Sequence, residues 1–264
     1  MSATIKKKPF PYLIINNFLN KKKFNNLSKK FPNYLFNNIK NNVFRNNIHI
    51  NHPDFVKFLN NEKEWTKFIE SLTGKKFVNY LLKLFKNDFK KFDLNISLDK
   101  TYQYLSYNFD RSNLNMISKI KIGLKLRFFT LRNLLLRILG IISIRIDVQC
   151  ARSKSGYSLR PHTDQRSKVI VVLFYLNDMR DARGRYISNL NLYKNKSNDP
   201  KTWTRHPKKN ETTKFKSVHI TKNKIIIMLN SKNAYHGVDK FKSKNYRKFI
   251  YLSLSVANYK NIWN

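Results

Sequence analysis

The hydrophobic pattern of the chain changes near residue 142. Before that point, apolar residues such as Phe55, Phe58 and Leu59 recur at the spacing typical of amphipathic helices. After it, short apolar runs follow a β pattern, in which Ile144 and Ile146 alternate with charged residues. We therefore predict an α+β protein whose helices support a β core.

The pattern also predicts the individual elements. In the first half we expect a strand at 11–15 and helices at 18–31, 53–72 and 77–89. In the second half we expect six strands, at 143–149, 169–176, 190–193, 215–220, 224–229 and 246–256, separated by turns such as 183–185 and 197–200. Since no repeat or hinge-like linker interrupts the pattern, we expect one domain over 1–264. In it, 9–142 is mainly helical support that includes the first strand, and 143–256 is the β core.

The most apolar stretch, 121–142, is interrupted by four cations, Lys125, Arg127, Arg132 and Arg137. These charges make it a poor transmembrane segment. We interpret it mainly as a buried helix that packs on the sheet, with binding to a membrane surface as the alternative.

Composition adds a folded core and a strong positive charge. Hydrophobic residues make up 41% of the 264 residues, too many for a disordered chain. The 53 Lys and Arg against 15 Asp and Glu give a formal net charge of +38, which predicts attraction to a polyanion such as nucleic acid, acidic glycan or anionic lipid. Compositional drift explains the same charge, because the lysines are spread along the chain.

Cysteine usage and the start of the chain bear on location. The single cysteine, Cys150, excludes an internal disulfide and a thiolate metal cluster. Pro9 and Pro11 stand where a signal peptide needs an unbroken apolar stretch. We expect a cytoplasmic protein without a transmembrane segment.

Three residues in the β half form a candidate metal site. His162 and Asp164 are two positions apart on an extended segment, so their side chains point to the same side. His236 follows the apolar strand at 224–229 and supplies a third ligand. Two imidazoles and one carboxylate leave positions open at non-haem iron(II). Arg247, eleven residues after His236, could pair with a buried carboxylate of a co-substrate; its neighbour Lys248 faces the other side of the strand.

A second His-x-Asp triplet, His52-Pro53-Asp54, begins a helical pattern, and we interpret Asp54 as a first-turn acid. His49, His206 and His219 have no partner at metal spacing and are interpreted as ordinary surface or core residues.

The motifs resemble a known family. The set of His162, Asp164, His236 and Arg247 is similar to that of the 2-oxoglutarate and iron(II)-dependent oxygenases, in particular their prolyl 4-hydroxylase-like branch. The segment Phe174-Tyr175-Leu176-Asn177 and the opening at 9–19 are similar to segments of that branch. The resemblance extends over about 9–256, although 35–140 match only in general character.

The resemblance implies a double-stranded β-helix, or jelly roll, with His162, Asp164 and His236 as ligands of Fe(II). It also implies that Arg247 and Tyr175 bind the far carboxylate of 2-oxoglutarate, with O₂ as the second co-substrate and ascorbate as an optional addition. The expected reaction is hydroxylation of an unidentified substrate (a protein side chain, a small molecule or a glycan precursor), with 2-oxoglutarate converted to succinate and CO₂. The alternatives are a nucleic-acid-oxidising member of the same fold and a non-enzymatic polyanion-binding protein; a metal hydrolase would not need Arg247.

Overall fold

The fold combines helices on one side with two β-sheets on the other, as the α+β prediction requires. The computed structural model describes residues 4–37, 44–92, 94–107, 111–112, 114–197, 203–259 and 262–263. The turn predicted at 197–200 lies mostly outside the described residues. The described helices are α1 (Lys21–Lys29), α2 (Pro53–Asn61), α3 (Lys63–Thr73), α4 (Lys75–Leu84), α5 (Lys86–Lys91) and α6 (Met116–Ile138).

The helical predictions have the right places but incorrect boundaries. The helix predicted at 53–72 is two helices, because Glu62 takes the non-helical dihedral angles φ −119° and ψ 79°. The helix predicted at 77–89 is divided at Phe85 in the same way. Helix α6 begins before its predicted start, because the side chain of Asn115 caps it by accepting a hydrogen bond from the backbone N–H of Ser118.

The strands form two sheets. The larger has the order β1-β9-β6-β11-β4-β2, with β3 parallel to β4, and the smaller has the order β5-β10-β7-β8. The strands are β1 (Tyr12–Ile15), β2 (Arg45–His49), β3 (Thr101–Leu105), β4 (Ile142–Ser153), β5 (Leu159–His162), β6 (Lys168–Tyr175), β7 (Asn189–Asn195), β8 (Thr212–His219), β9 (Lys224–Leu229), β10 (His236–Val238) and β11 (Arg247–Val256). The pattern predicted seven of these strands and missed the short or polar strands β2, β3, β5 and β10.

The larger sheet has a hydrophobic core on each face. Along β6, Val172 and Phe174 belong to the core shared with the helices, whereas Leu173 and Tyr175 belong to the core shared with the smaller sheet. This alternation is the period of two of a β-strand. The core on the side away from the helices, which contains Leu173 and Tyr175, therefore lies between the two sheets.

Helix α6 does not match its prediction. Ile122 is its only buried residue among those described, so the interpretation as a buried helix is wrong. One side of the helix packs near β3 and β4: Phe129 contacts Tyr104, with 4.8 Å between ring centroids, and Asn133 is hydrogen-bonded to Tyr104 and Ser143. Among the described helices, none combines the length and the apolar character needed to cross a membrane.

Candidate functional site

Strand pairing brings the two predicted imidazole ligands together. His162 ends β5 and His236 begins β10, and the two residues are opposite each other in the antiparallel pair. Their ring centroids are 4.4 Å apart. Asp164 lies two residues after His162, and its Oδ2 is 3.5 Å from Nε2 of His236. Residues separated by more than seventy positions in the chain thus share one place between the sheets.

The backbone orients both imidazoles in the same way. Nδ1 of His162 is 3.0 Å from the carbonyl oxygen of Arg160, and Nδ1 of His236 is 3.0 Å from that of Ala234. A carbonyl oxygen only accepts, so each Nδ1 carries a proton, and Nε2 is the atom of each ring that can bind a cation. Burial, followed by the electrostatic effect of the adjacent His236 ring, lowers the pKa of His162 to about 3. His162 is therefore neutral at physiological pH, the form in which imidazole binds a cation.

The carboxylate of Asp164 has one occupied oxygen and one free oxygen. Its Oδ1 accepts hydrogen bonds from Nζ of Lys168 at 2.9 Å and from the hydroxyl of Tyr251 at 3.2 Å. Its Oδ2 is buried without a hydrogen-bond partner among the described residues. Burial alone would raise the pKa of Asp164, but the adjacent Lys168 ammonium brings it below its usual range. An ionised carboxylate with one uncompensated oxygen suits a cation.

The side chains of His162, Asp164 and His236 lie close together, but their positions do not complete a metal-binding geometry. Within the part of the chain that the structure describes, no group of three or more His, Cys, Asp or Glu side chains is arranged to hold a metal ion as it stands. What fits a metal ion is the donor set: the Nε2 atoms of the two imidazoles and the free oxygen of Asp164. This set matches the two-histidine, one-carboxylate ligation of non-haem iron(II).

Arg247 is a buried cation that has no anionic partner among the described residues. Only 2% of the residue is exposed. Its Nη2 donates to the hydroxyl of Tyr175 at 3.0 Å, while Nε and Nη1 are buried with no acceptor among the described residues. Leaving a guanidinium in this state is unfavourable, so the arrangement suits an anionic ligand. The phenol of Tyr175 accepts from Arg247, so its own hydrogen can be donated to the same anion.

The side chain of Arg247 lies on the same side of β11 as Tyr251, which contacts Asp164. Phe249 and Tyr251 belong to the core between the sheets, whereas Ile250 belongs to the core under the helices. This confirms the predicted orientation of the strand. Strand β11 therefore carries Tyr251, which contacts Asp164, and Arg247 on the same side.

Three residues of the site were not predicted from the sequence. Lys168 and Tyr251 hold Asp164, and Nζ of Lys168 is 2.5 Å from the hydroxyl of Tyr251. Arg45, on β2, places its guanidinium carbon 5.1 Å from the ring centroid of Phe249 and 5.8 Å from that of Tyr251. The only sequence signal for Lys168 is its spacing of four from Asp164. The sequence contains no such signal for Arg45, because β2 is too polar to be predicted as a strand.

The remaining histidines lie elsewhere or beside the site. Asp54 is in the first turn of α2, as predicted, and His52 caps that helix. His49 pairs with Asp147 at 2.9 Å, and His219 stacks on Tyr186. The ring of His206 is 6.2 Å from that of His162, so this residue borders the site.

The chain is similar to several solved structures, but no protein-family model matches it and no curated protein matches significantly. A prolyl hydroxylase from Trichoplax adhaerens, in complex with a hypoxia inducible factor peptide fragment, is 13% identical with a TM-score of 0.43, over 93% of this chain and 83% of its own. A prolyl 4-hydroxylase from Phytophthora capsici is 11% identical with a TM-score of 0.46, over 95% and 60%. HygX from Streptomyces hygroscopicus, with nickel and 2-oxoglutarate bound, is 9% identical with a TM-score of 0.43, over 96% and 85%. At this identity and TM-score, the functional argument rests on the residues of the chain itself.

Proposed function

We propose that the chain is an Fe(II)- and 2-oxoglutarate-dependent dioxygenase that hydroxylates its substrate. In this proposal His162, Asp164 and His236 hold the metal, and the whole chain forms one oxygenase domain whose two facing sheets are a jelly roll. The observation that carries the proposal is the buried Arg247 with its free Nε and Nη1. A hydrolytic metal site has no use for such a group, whereas a buried dicarboxylate requires it.

In this proposal the residues of the site position the metal and the co-substrate and exclude water. Bound iron(II) would supply the oxidising chemistry, with one atom of O₂ entering succinate and the other the product hydroxyl while 2-oxoglutarate loses CO₂. Arg247 and Tyr175 would hold the far carboxylate through charge-assisted hydrogen bonds. Lys168 and Tyr251 would fix Oδ1 of Asp164 and leave Oδ2 for the metal. The apolar core around them limits access of water.

An anaerobic titration tests the proposal. Purified protein is titrated with iron(II) and 2-oxoglutarate while visible absorption of the chelated complex is followed; O₂ is then admitted and succinate is assayed. We expect a band that is absent in His162→Ala and needs more 2-oxoglutarate in Arg247→Ala. Exposed His219→Ala and Lys248→Ala, whose side chain lies on the helical face of the sheet against Phe31, are the matched controls and should behave as wild type. A protein that gives neither band nor succinate is not a dioxygenase.

A further inference from the structure

Helix α6 presents an apolar face to solvent. Six side chains along it are between 53% and 65% exposed and follow the helical spacing of three and four: Ile117, Ile120, Leu124, Phe128, Leu131 and Leu135. Exposed apolar residues in a continuous row of this length are unusual on a protein surface and mark an interaction site. We call these six residues the apolar face of α6.

The orientation of α6 is fixed by its other side. Ile122 is buried, Phe129 packs on Tyr104, and the guanidinium of Arg132 stacks on Tyr102 with its carbon 4.4 Å from the ring centroid. The helix is therefore apolar on two sides, one against the protein and one outward. Rotation that would bury the apolar face of α6 would break the contacts of Phe129 and Arg132.

The charges of α6 indicate what covers its apolar face. Between Met116 and Ile138 the sequence has six cations and no Asp or Glu: Lys119, Lys121, Lys125, Arg127, Arg132 and Arg137. A second copy of the same helix would bring like charges together without any acid to pair with them, which opposes self-association. An anionic lipid surface offers charge opposite to that of the helix, and an apolar layer beneath its head groups.

We propose that α6 is an interfacial helix that lays its apolar face into the head-group boundary of an anionic bilayer. Its 23 residues extend over about 34 Å along the membrane plane. The helix does not cross the bilayer, in keeping with its interspersed cations. This proposal is independent of the oxygenase site, since it depends on no residue of that site.

Vesicle flotation tests the proposal, with the full chain and vesicles of phosphatidylcholine alone or of equimolar phosphatidylcholine and phosphatidylserine. The variant Leu124→Gln, Leu131→Gln, Leu135→Gln keeps the net charge and the helix propensity. We expect wild type to float with the phosphatidylserine vesicles, and the bound fraction of this variant to fall by about tenfold or more, because the buried apolar area is lost.

The control variant changes three exposed apolar residues elsewhere, as Val56→Gln, Tyr80→Gln and Phe215→Gln, and should float as wild type. Equal flotation of the α6 variant and wild type would show attraction by charge alone and overturn the proposal. A wild-type dimer that the α6 variant converts to a monomer, without vesicle binding, would assign the face to a second copy and overturn it as well.

A spectroscopic readout covers the case in which the triple variant does not fold. Since Cys150 is buried, a single Leu131→Cys variant can be labelled selectively with a polarity-sensitive fluorophore. We expect a blue shift of its emission with phosphatidylserine vesicles, and none from the same label at Phe215→Cys. Absence of a shift at position 131 contradicts the proposal.

Discussion

The surroundings of Arg247 differ from those of an ordinary buried cation. A buried cation is normally paired, and removing one partner of a buried pair is strongly destabilising. Here the partner is missing among the described residues, and only Tyr175 receives a hydrogen bond. We therefore expect the stability of the protein to rise when an anion of the right length binds to Arg247.

The first prediction concerns Arg247→Met in thermal unfolding with iron(II) under anaerobic conditions. We expect the variant to unfold at or above the wild-type temperature without ligand, because it removes an unpaired buried charge. Ligand at a hundredfold excess over its Kd stabilises a protein by about 2.7 kcal/mol; 2-oxoglutarate should do this in wild type and lose most of the effect in Arg247→Met. Arg247→Lys should be intermediate, because an ammonium lacks the planar fork.

Lys248→Met is the control for this prediction, since its ammonium faces Phe31 on the helical side, 5.0 Å from the ring centroid. It should leave the shift caused by 2-oxoglutarate unchanged. An equal shift in Arg247→Met and wild type would remove Arg247 from the co-substrate site.

Cys150 leads to the second prediction. The residue is fully buried, and burial raises the pKa of its thiol well above the ordinary value. Since the thiolate is the reactive form, an alkylating reagent should leave the native protein unlabelled even at mildly alkaline pH, and should label one site in denaturant. Mass spectrometry measures both; stoichiometric native labelling would contradict the burial of Cys150.

Residues that could be predicted are those whose signal is local. His162 and Asp164 are two positions apart, and Arg247 lies at a fixed offset on a strand of regular alternation, so spacing alone placed them. Lys168 lies four positions from Asp164, a spacing that does not by itself indicate a contact, whereas Tyr251 and Arg45 reach the site through the register between strands. That register depends on side-chain packing between segments far apart in the chain, which spacing within one segment does not contain.

At the scale of elements, the pairing of β5 with β10 holds the two histidines together. Gly237, beside His236, is essential to this contact: a Cβ there would lie 2.6 Å from the carbonyl oxygen of Leu159 and 3.2 Å from that of Arg160. The third prediction is therefore that Gly237→Ala pushes β10 away from β5 and weakens iron(II) binding by at least about tenfold, with a loss of about 1–3 kcal/mol of stability.

Gly123→Ala is the matched control, because its Cβ would meet nothing within 4 Å. Located in α6, it should stabilise the protein by about 0.5–1 kcal/mol and leave iron binding unchanged. Iron titration and denaturant unfolding of both variants check the pair; wild-type iron affinity in Gly237→Ala would show that the β5–β10 contact does not set the ligand geometry.

Phe174 connects the larger sheet to the helices, and it leads to the fourth prediction. Its ring contacts Phe18, Phe24 and Phe68 at centroid distances of 5.8, 6.3 and 5.2 Å. Phe174→Ala should lower the free energy of unfolding by about 3–5 kcal/mol, because it opens a cavity among aromatic rings. Phe215→Ala, on the exposed side of β8, should cost less than about 0.5 kcal/mol. Equal losses in urea unfolding would contradict this assignment of the core.

The elements that could be predicted are those with strong periodicity. Three strands that are buried on both faces, β6, β9 and β11, have long apolar runs in the sequence. In contrast, β2 is mostly polar, and β10 has only three residues, which are too few to form a pattern. The prediction of a buried helix over 121–142 is wrong, although the apolar residues of a helix normally face the protein interior. In α6 the second apolar side faces solvent, and the contacts with Tyr102, Tyr104 and Ser143 on the other side decide which side that is.

At the scale of the whole molecule, charge dominates. The few acids are in large part already paired, as Asp88 is with Lys7, Glu62 with Lys30 and Asp239 with Lys214. The remaining positive charge is distributed over the chain and not gathered on one described element. A diffuse field of this kind attracts any polyanion and distinguishes poorly between them.

The fifth prediction follows from this distribution: the protein should bind heparin and an arbitrary DNA duplex with similar affinity, and log affinity should fall linearly with log salt for both. The variant Leu124→Gln, Leu131→Gln, Leu135→Gln keeps the charge of +38, so it should keep the same salt dependence while losing vesicle binding. Fluorescence anisotropy over a salt series measures both polyanions. A preference of more than about a hundredfold for the duplex at equal salt would indicate a selected nucleic-acid partner, because nonspecific charge cannot produce it.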